Sequence, residues 1–182
     1  MAKKNTKDPA PAVRNIFLTG FMCAGKTSAG KLLARALGRP LADSDALAEK
    51  KAGNSVSAIV EQRGLAAFRK LESACVKELA AGRGRVIALG GGIYPSHRWK
   101  GALAASGITV FLHCPWNELE KRLKPEAGTR PLLKGAWAAA GPRAKKLYAA
   151  RLPFYRRADI TINTAGLTPA RTAAKIKKAI KL

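Results

Sequence analysis

The sequence is short of acidic residues. It carries 11 aspartate and glutamate residues against 34 lysine and arginine residues, which leaves a formal net charge of +23 at pH 7. A field of one sign attracts anions, so this composition favours nucleotides, acidic metabolites or nucleic acid as partners without choosing among them. Charge of this kind bears on partners and solubility and leaves the fold open.

Long apolar runs and paired cysteine motifs are also missing. No apolar run reaches the roughly 18 residues of a membrane span. Cys23, Cys75 and Cys114 form no CxxC or metal-binding spacing, which favours reduced thiols in a reducing compartment. The basic segment 1–13 has no apolar stretch of signal-peptide length, so we expect it to be a disordered tail on a cytoplasmic protein.

Aromatic residues are few, and their pattern argues against nucleic-acid recognition. The 11 Phe, Trp and Tyr residues show no stacking pattern, and the basic residues are spread along the chain. A basic amphipathic membrane helix is conceivable at 169–181, but Ala173, Ile176 and Ile180 have the spacing of a helix packed on a sheet. We therefore expect no specific nucleic-acid partner and no membrane partner. We also expect a monomer.

What the sequence does contain is an alternation of strand-like and helix-like segments. This alternation predicts an α/β fold with a parallel sheet covered by helices on both faces. No repeat or boundary is visible, so we expect one domain over 14–182. The irregular segment 124–141 is long for a connection, which is typical of a lid. The predicted strands are 15–19, 40–42, 85–89, 108–113 and 159–163. The predicted helices are 26–37, 46–51, 55–63, 66–81, 96–106, 115–123, 142–156 (interrupted at Pro153) and 169–181.

The first strand runs into a phosphate-binding motif. Residues 20–27 read Gly-Phe-Met-Cys-Ala-Gly-Lys-Thr, which is the P-loop pattern G-x-x-x-x-G-K-[ST]. Backbone N–H groups and the start of the following helix would bind phosphates, Lys26 would add charge, and Thr27 would be a Mg²⁺ ligand. The alternative is a glycine-rich turn without a ligand. The motif predicts ATP and Mg²⁺ binding.

Two carboxylates follow the second predicted strand. In an extended segment Asp43 and Asp45 would lie on one side, roughly 7 Å apart at Cα. Near a triphosphate, one could hold Mg²⁺ through water while the other accepts a proton from the attacking hydroxyl. The alternative is that Asp45 caps a helix beginning at Ala46.

Several arginines and a glycine triplet are further candidates. Arg69 and Glu72 lie three residues apart on a helix, so a salt bridge could orient the guanidinium toward a substrate carboxylate. The triplet 90–92 ends a strand, where ligands approach open α/β sheets. Arg130 lies in the irregular segment and could close over phosphates. Taken singly, Arg130 and Arg151 would more often be surface residues than site residues in a chain this basic.

Taken in order along the chain, these motifs resemble those of the shikimate kinase family, and the resemblance covers about 15–180. The resemblance implies a three-layer P-loop kinase fold with a five-stranded parallel sheet, a substrate-binding helical segment at about 45–72 and a mobile lid at about 124–141. It implies ATP- and Mg²⁺-dependent phosphorylation of the 3-hydroxyl of shikimate in chorismate and aromatic amino-acid biosynthesis. Another small-metabolite kinase, such as a gluconate-type kinase, remains the alternative. The motifs are residues 20–28, 43–45, Phe68-Arg69 with Glu72, 90–92, 130–133 and Arg151-x-Pro-x-Tyr155.

The resemblance also implies roles for individual residues. Lys26, Asp45 and Arg130 would be catalytic, with Asp45 as base, and Thr27 and Asp43 would serve the metal. ATP would be bound by Cys23, Ala24, Gly25, Lys26, Thr27, Ser28, Arg122 and Arg130; shikimate would be bound by Asp45, Arg69, Gly90, Gly91, Gly92 and Arg151.

The chain also departs from the family pattern. Cys23 stands where Gly is frequent, Val60 where an aromatic residue is common, and Leu65 where Glu is common. The segment 165–168 lacks the basic residue often seen there. Because Cys23 lies near a helix N-terminus and Lys26, we expect its thiolate to be favoured, with an inert loop residue as the alternative.

Overall fold

The structure is a computed structural model that describes residues 13–94 and 97–180. The predicted tail 1–13 lies outside the described residues except for Val13. Ser96 and Lys181, at the ends of two predicted helices, also lie outside them. Across the described ranges, no helix combines the length and apolar character needed to cross a membrane.

A five-stranded parallel sheet forms the centre of the fold, in the order β2-β3-β1-β4-β5. β1 is buried along its whole length, as expected for an apolar strand between two neighbours. The register sets Asp43 and Leu18 beside the same residue, Ala88, so β1, β2 and β3 end at one edge. The strands are β1 (Asn15–Thr19), β2 (Leu41–Asp43), β3 (Val86–Ala88), β4 (Gly107–His113) and β5 (Ile160–Asn163).

Seven α-helices among the described residues complete this fold, and the predicted fold class is confirmed. The main core is formed by sheet residues such as Phe17 and Phe111 together with apolar faces of the helices, for example Leu33. The helices are α1 (Lys26–Leu37), α2 (Ser44–Ala52), α3 (Val56–Ala81), α4 (His97–Ser106), α5 (Trp116–Leu123), α6 (Trp137–Tyr155) and α7 (Pro169–Ala179), with short 3₁₀ segments at Lys124–Glu126 and Pro131–Leu133.

Three predicted helix boundaries are wrong. The helices predicted at 55–63 and 66–81 join into α3 through a kink at Gly64, which has φ 81°. α6 begins at Trp137, inside the predicted lid segment, and contains both Pro142 and Pro153 without a break. α6 buries Tyr148 and Tyr155 against the core, and this packing outweighs the local cost of proline.

The third wrong boundary is the start of α2. This helix begins at Ser44, not at Ala46, because the Asp43 side chain caps it and accepts from the backbone N–H of Asp45 and Ala46. The alternative in which Asp45 is the cap is therefore wrong. Asp45 lies in the first helical turn, so the extended geometry expected for the two carboxylates is also wrong.

Candidate active site

The P-loop lies between β1 and α1 and leaves the helix start open. Gly20 and Gly25 have φ values of 143° and 91°, which a residue with a side chain adopts only with strain. Gly25 caps α1 without any side-chain hydrogen bond, so the first amides of the helix point to a potential anion. This geometry suits a phosphate group.

Lys26 is folded over the same loop. Its Nζ donates to the backbone O of Gly20 at 3.0 Å and of Phe21 at 2.9 Å. Burial lowers the pKa of Lys26, while the nearby carboxylates of Asp45 and Asp43 oppose this change. The ammonium group is therefore held beside the loop amides and faces the acidic residues across the site.

Thr27 and Asp43 link the P-loop helix to the end of β2. Thr27 Oγ1 donates to Asp43 Oδ2 at 2.8 Å. The other carboxylate oxygen, Oδ1, accepts the two backbone N–H groups that begin α2. One aspartate thus fixes the position of α2 while its second oxygen sits next to the hydroxyl at the start of α1.

Asp45 is a carboxylate with unmet hydrogen-bonding capacity. Its Oδ1 is buried and has no hydrogen-bond partner among the described residues. Burial raises its pKa to about 6, the charges of Glu72 and Asp43 add to this effect, and Lys26 and Arg69 oppose it. An unpartnered buried oxygen with a shifted pKa is typical of a residue that meets a ligand.

The glycine triplet 90–92 lets charged side chains approach the end of β3. A Cβ atom on Gly90 would collide with the carboxylates of Asp45 and Glu72, and one on Gly92 would collide with the guanidinium of Arg69. The Gly90 N–H donates to the buried Ser44 Oγ at 2.8 Å. Gly90 and Gly92 therefore leave room for side chains of the protein itself, whereas the approach of a ligand to the triplet, which the sequence analysis expected, stays a prediction.

Arg69 and Glu72 form the predicted ion pair on α3. The Glu72 side chain is 1% exposed and that of Arg69 is 31% exposed, so the carboxylate anchors a guanidinium that still reaches the cleft. Burial raises the pKa of Glu72, whereas the charge and hydrogen bond of Arg69 lower it. The pair orients the guanidinium and leaves part of it available.

Arg151 is held against the same triplet from α6. Its Nη1 donates to Gly91 O at 3.0 Å, and the Tyr155 hydroxyl donates to the same oxygen. Tyr155 is fully buried and stacks on Phe111 with ring centroids 5.3 Å apart. Burial raises the pKa of Tyr155 to about 12, so the phenol remains a donor at neutral pH.

Asp45 and the two arginines Arg69 and Arg151 line one cleft of about 260 Å³. It contains the predicted substrate residues Asp45, Arg69, Gly91, Gly92 and Arg151 as well as the lid residue Arg130; Gly90 lies directly behind them. Its apolar lining includes Met22, Val56, Val60, Leu65, Phe68, Pro131 and Leu132. An anionic molecule with an apolar ring and hydroxyl groups would match both kinds of surface.

A second cleft, of about 290 Å³, opens on the other side of the P-loop. Arg122 Nη1 donates to Cys23 O at 3.3 Å at this cleft. Leu167 belongs to the segment 165–168 that the family comparison had singled out, whereas Thr164, Pro169 and Thr172 were not identified from the sequence. The lining is Cys23, Ala24, Gly25, Ser28, Ala29, Arg122, Thr164, Leu167, Pro169 and Thr172.

Cys23 differs from its expected behaviour. Burial raises the pKa of its thiol, and this effect exceeds the opposing charges of Arg130, Lys26 and Arg122. The expectation of a favoured thiolate is therefore wrong, because desolvation outweighs the positive surroundings. Cys23 also has φ 59°, which among the described non-glycine residues makes it the one in the left-handed region.

The predicted lid segment places Arg130 at the cleft that contains Asp45. Arg130 Nε pairs with Glu126 Oε2 at 3.1 Å, and both side chains are largely exposed. Ser57 Oγ donates to Thr129 O at 3.4 Å, so the lid already touches the first half of α3. Arg130 lines the cleft that contains Asp45. It is also near enough to Cys23 for its positive charge to lower the pKa of that thiol.

Two residues that contact the glycine triplet were not predicted from the sequence. Ser44 lies between the two aspartates, and Tyr155 follows Arg151 by one helical turn, so both were inside recognised motifs without an assigned task. Their contacts with Gly90 and Gly91 join segments about 45 and 65 residues apart in sequence, which no local pattern reports.

Comparison with known proteins decides the family. The shikimate kinase family model matches residues 22–181, nearly the whole described chain. The chain belongs to the shikimate kinase family. Members of this family are phosphotransferases that act on an alcohol group, so the enzyme class expected from the sequence is confirmed.

Individual shikimate kinases are similar over most of their length. The shikimate kinase of Thermodesulfovibrio yellowstonii is 38% identical over 168 residues, covering 91% of this chain and 94% of that protein. That of Geobacter sulfurreducens is 41% identical over 153 residues, covering 84% and 83%.

Solved shikimate kinase structures agree with the fold. The structure from Acinetobacter baumannii, in complex with shikimate, superposes with a TM-score of 0.86 at 34% identity and covers 93% of each chain. The one from Aquifex aeolicus has a TM-score of 0.80 at 34% identity, covering 92% of this chain and 96% of that one.

Proposed function

We propose that this chain transfers the γ-phosphoryl group of ATP to the 3-hydroxyl of shikimate. The observation that carries the proposal is the unpartnered Oδ1 of Asp45, whose side chain shares one cleft with the guanidinium groups of Arg69 on α3 and Arg151 on α6. A ring acid with hydroxyl groups satisfies both features at once. The solved relative in complex with shikimate supports the same substrate.

The substrate carboxylate would be bound by the two arginines. Each is already held by a protein acceptor, Arg69 by Glu72 and Arg151 by the backbone O of Gly91. Arginine suits this task because its planar donors bind a carboxylate with two hydrogen bonds. Preorganised donors lose little conformational freedom on binding, which favours tight and oriented capture.

The residues at the start of α1 fit a magnesium ion. A hydroxyl and a carboxylate, from Thr27 and Asp43, meet there at 2.8 Å, and these oxygens are ligands that Mg²⁺ accepts directly or through water. Within the described part of the chain, no group of three or more His, Cys, Asp and Glu side chains could enclose a metal. Few protein ligands are expected, since Mg²⁺ keeps waters and shares phosphate oxygens; when bound, it neutralises charge on the β- and γ-phosphates.

Phosphoryl transfer then depends mainly on positioning and charge. Asp45 accepts the proton of the 3-hydroxyl as that oxygen bonds to the γ-phosphorus and the bond to ADP breaks. Lys26 turns from its carbonyl acceptors toward the β- and γ-phosphate oxygens. Arg130 leaves Glu126 and binds the transferring group. The products are ADP and shikimate 3-phosphate, with the proton passing from Asp45 to solvent.

The second cleft would hold the adenosine part of ATP. It begins at the P-loop, and Arg122 is fixed there by the carbonyl of Cys23. Ser28 and Ala24 line the same space next to the phosphate-binding amides. We extend the proposal to Mg²⁺ dependence, a monomeric state, the cytoplasm and the supply of chorismate for aromatic amino acids.

A coupled ADP-release assay tests the function directly. Purified protein is measured with shikimate, gluconate and related hydroxy acids, each with and without Mg²⁺. We expect turnover that requires both shikimate and Mg²⁺ and yields shikimate 3-phosphate. Faster turnover of gluconate, or none with shikimate, would overturn the proposal.

A further inference from the structure

One leucine at the substrate cleft is unusually exposed. Among the described residues, the large apolar side chains with high exposure are Val13 at 52%, Leu32 at 38% and Leu65 at 46%. Of these three, only Leu65 lines the cleft that contains Asp45. An exposed leucine at a ligand cleft leaves apolar surface that a second surface can cover.

Local backbone geometry explains why Leu65 is uncovered. It follows Gly64, whose φ of 81° interrupts the helical path of α3. Every residue of 61–67 is exposed, so this part of α3 stands away from the core. The first core contact after the kink is the buried Phe68.

The lid lies across the same cleft. Pro131 and Leu132 line it together with Leu65, and both are half-buried. The lid is also connected to the first half of α3 by Ser57 Oγ to Thr129 O at 3.4 Å and by Lys134 Nζ to Glu61 Oε1 at 3.2 Å. These contacts hold the lid beside the segment that carries Leu65.

We propose that Leu65 is a positioning residue for the lid and that Leu132 packs against it when both substrates are bound. The inference rests on the proposed function, because closure matters only if a phosphoryl group must be kept from water. The Lys134–Glu61 pair has side chains 68% and 69% exposed, so salt screens it and it holds the lid weakly. An apolar contact resists salt and excludes water from the place where Arg130 acts.

The test compares Leu65→Ala and Leu132→Ala with the double variant, using Leu32→Ala as control. Leu32 is a similarly exposed leucine on α1 that does not line the cleft. The readout is the amount of ATP hydrolysed by water divided by the amount of shikimate phosphorylated. We expect each single cleft variant to raise this ratio about three- to tenfold, the scale of a lost leucine contact, while Leu32→Ala leaves it unchanged.

The double variant decides whether the two leucines act as a pair. If they pack together, the double variant leaks no more than the worse single variant, since the contact is lost once. Effects that multiply, or a Leu65→Ala value equal to that of Leu32→Ala, would overturn the inference. A wild-type enzyme that phosphorylates shikimate would still keep the proposed function in those cases, whereas no shikimate turnover in the wild type would remove both.

If Leu65 contacted the substrate ring instead of the lid, the variants would behave differently. In that case Leu65→Ala would weaken shikimate binding measured without nucleotide, and Leu132→Ala would not. Because both leucines line the cleft, we expect the two variants to change shikimate affinity without ATP to the same extent, and by less than they change the loss of ATP to water. Circular dichroism and thermal melting of each variant exclude loss of fold as the cause, and Leu65→Ser provides a second substitution at the exposed site.

Discussion

The two sides of the candidate active site are built differently. On the substrate side, charged groups have buried partners: Glu72 holds Arg69, and the hydroxyl of Ser44 holds the backbone of the glycine triplet. The groups proposed to meet the phosphates are more exposed: Thr27 is exposed, and Arg130, which lines the cleft that also contains Asp45, pairs with Glu126 through side chains that are 48% and 41% exposed. We call these groups the phosphate side. Lys26 is held by two loop carbonyls, but Thr27 and Arg130 keep more contact with solvent than the paired groups of the substrate side.

This difference indicates which side needs its ligand in order to be complete. Hydrogen bonds and ion pairs are stronger where water is excluded, so the substrate side is organised before shikimate arrives. Exposed ion pairs contribute little and rearrange easily, so Arg130 can leave Glu126 when a stronger anion is present. We therefore expect ATP and its metal ion to complete the phosphate side.

Asp45→Asn should have the largest effect on catalysis. Removing a general base lowers kcat by about 10² to 10⁴-fold, while binding of ATP to the separate phosphate side should change little. Stopped-flow or steady-state kinetics with shikimate measure kcat, and nucleotide titration measures ATP affinity. Unchanged kcat would remove Asp45 from the role of base.

The same substitution should stabilise the folded protein at neutral pH. The pKa of Asp45 is about 6 in the fold against an ordinary value of 3.8, so the folded state binds more protons between these values and its stability falls as pH rises through them. At pH 7 the ionised side chain therefore destabilises the fold by about 1 to 3 kcal/mol. Thermal melting should show a higher Tm for the variant at pH 7 and a smaller difference near pH 4; a lower Tm at pH 7 would contradict this.

Thr27→Val should affect the metal requirement. The substitution keeps the shape and removes the hydroxyl that lies 2.8 Å from Asp43. We expect the Mg²⁺ concentration for half-maximal activity to rise about 10- to 100-fold, the scale for losing one metal-site partner. Thr27→Ser retains a hydroxyl and is the matched control. Equal Mg²⁺ curves for all three proteins would place the metal elsewhere.

Glu72→Gln and Glu126→Gln compare the two sides directly. Glu72→Gln removes a buried partner of Arg69, so we expect the KM for shikimate to rise about tenfold. Glu126→Gln removes an exposed partner of Arg130 and should change KM values by less than about threefold. Similar effects for both variants would contradict the proposed difference between the sides.

Glu72→Gln has a second expected consequence. The charge of Glu72 contributes to the raised pKa of Asp45, so its removal lowers that pKa. The acidic limb of the kcat/KM profile should therefore move to lower pH in the variant. A shift to higher pH would show that another group controls this limb.

Local patterns in the sequence predicted much of this architecture. The bounds of β1 and α1 agree with the prediction because an apolar run leads to a glycine turn and Gly38, at φ 63°, ends the helix. The P-loop could be recognised because all its parts are contiguous. Alternating strands and helices were sufficient to predict the parallel sheet.

The remaining features depend on contacts between distant segments. The start of α2 was missed because the choice between Asp43 and Asp45 as cap depends on where β2 ends. The uninterrupted α6 depends on the packing of Tyr155 against Phe111. The pKa of Asp45 depends on Glu72, which approaches because Gly90 has no side chain. The roles assigned to the site residues stay predictions until the variants are measured.

Cys23→Gly should have the smallest effect and tests the phosphate side alone. Cys23 has φ 59°, a conformation that strains an L-residue by roughly 1 to 2 kcal/mol and that glycine adopts freely. Glycine also gives the unfolded chain more conformational entropy, which destabilises the fold by about 0.5 to 1 kcal/mol. After this cost, the relief of strain should leave a net stabilisation of about 1 kcal/mol or less. Thermal melting should show a small rise in Tm, whereas Cys23→Val should lower it, because a β-branched side chain tolerates this φ poorly. Activity should hardly change with glycine, because we expect the phosphates to be bound by the backbone amides of the loop, which glycine retains. A fall in Tm for Cys23→Gly would mean that the half-buried thiol contributes more packing energy than the strain removes.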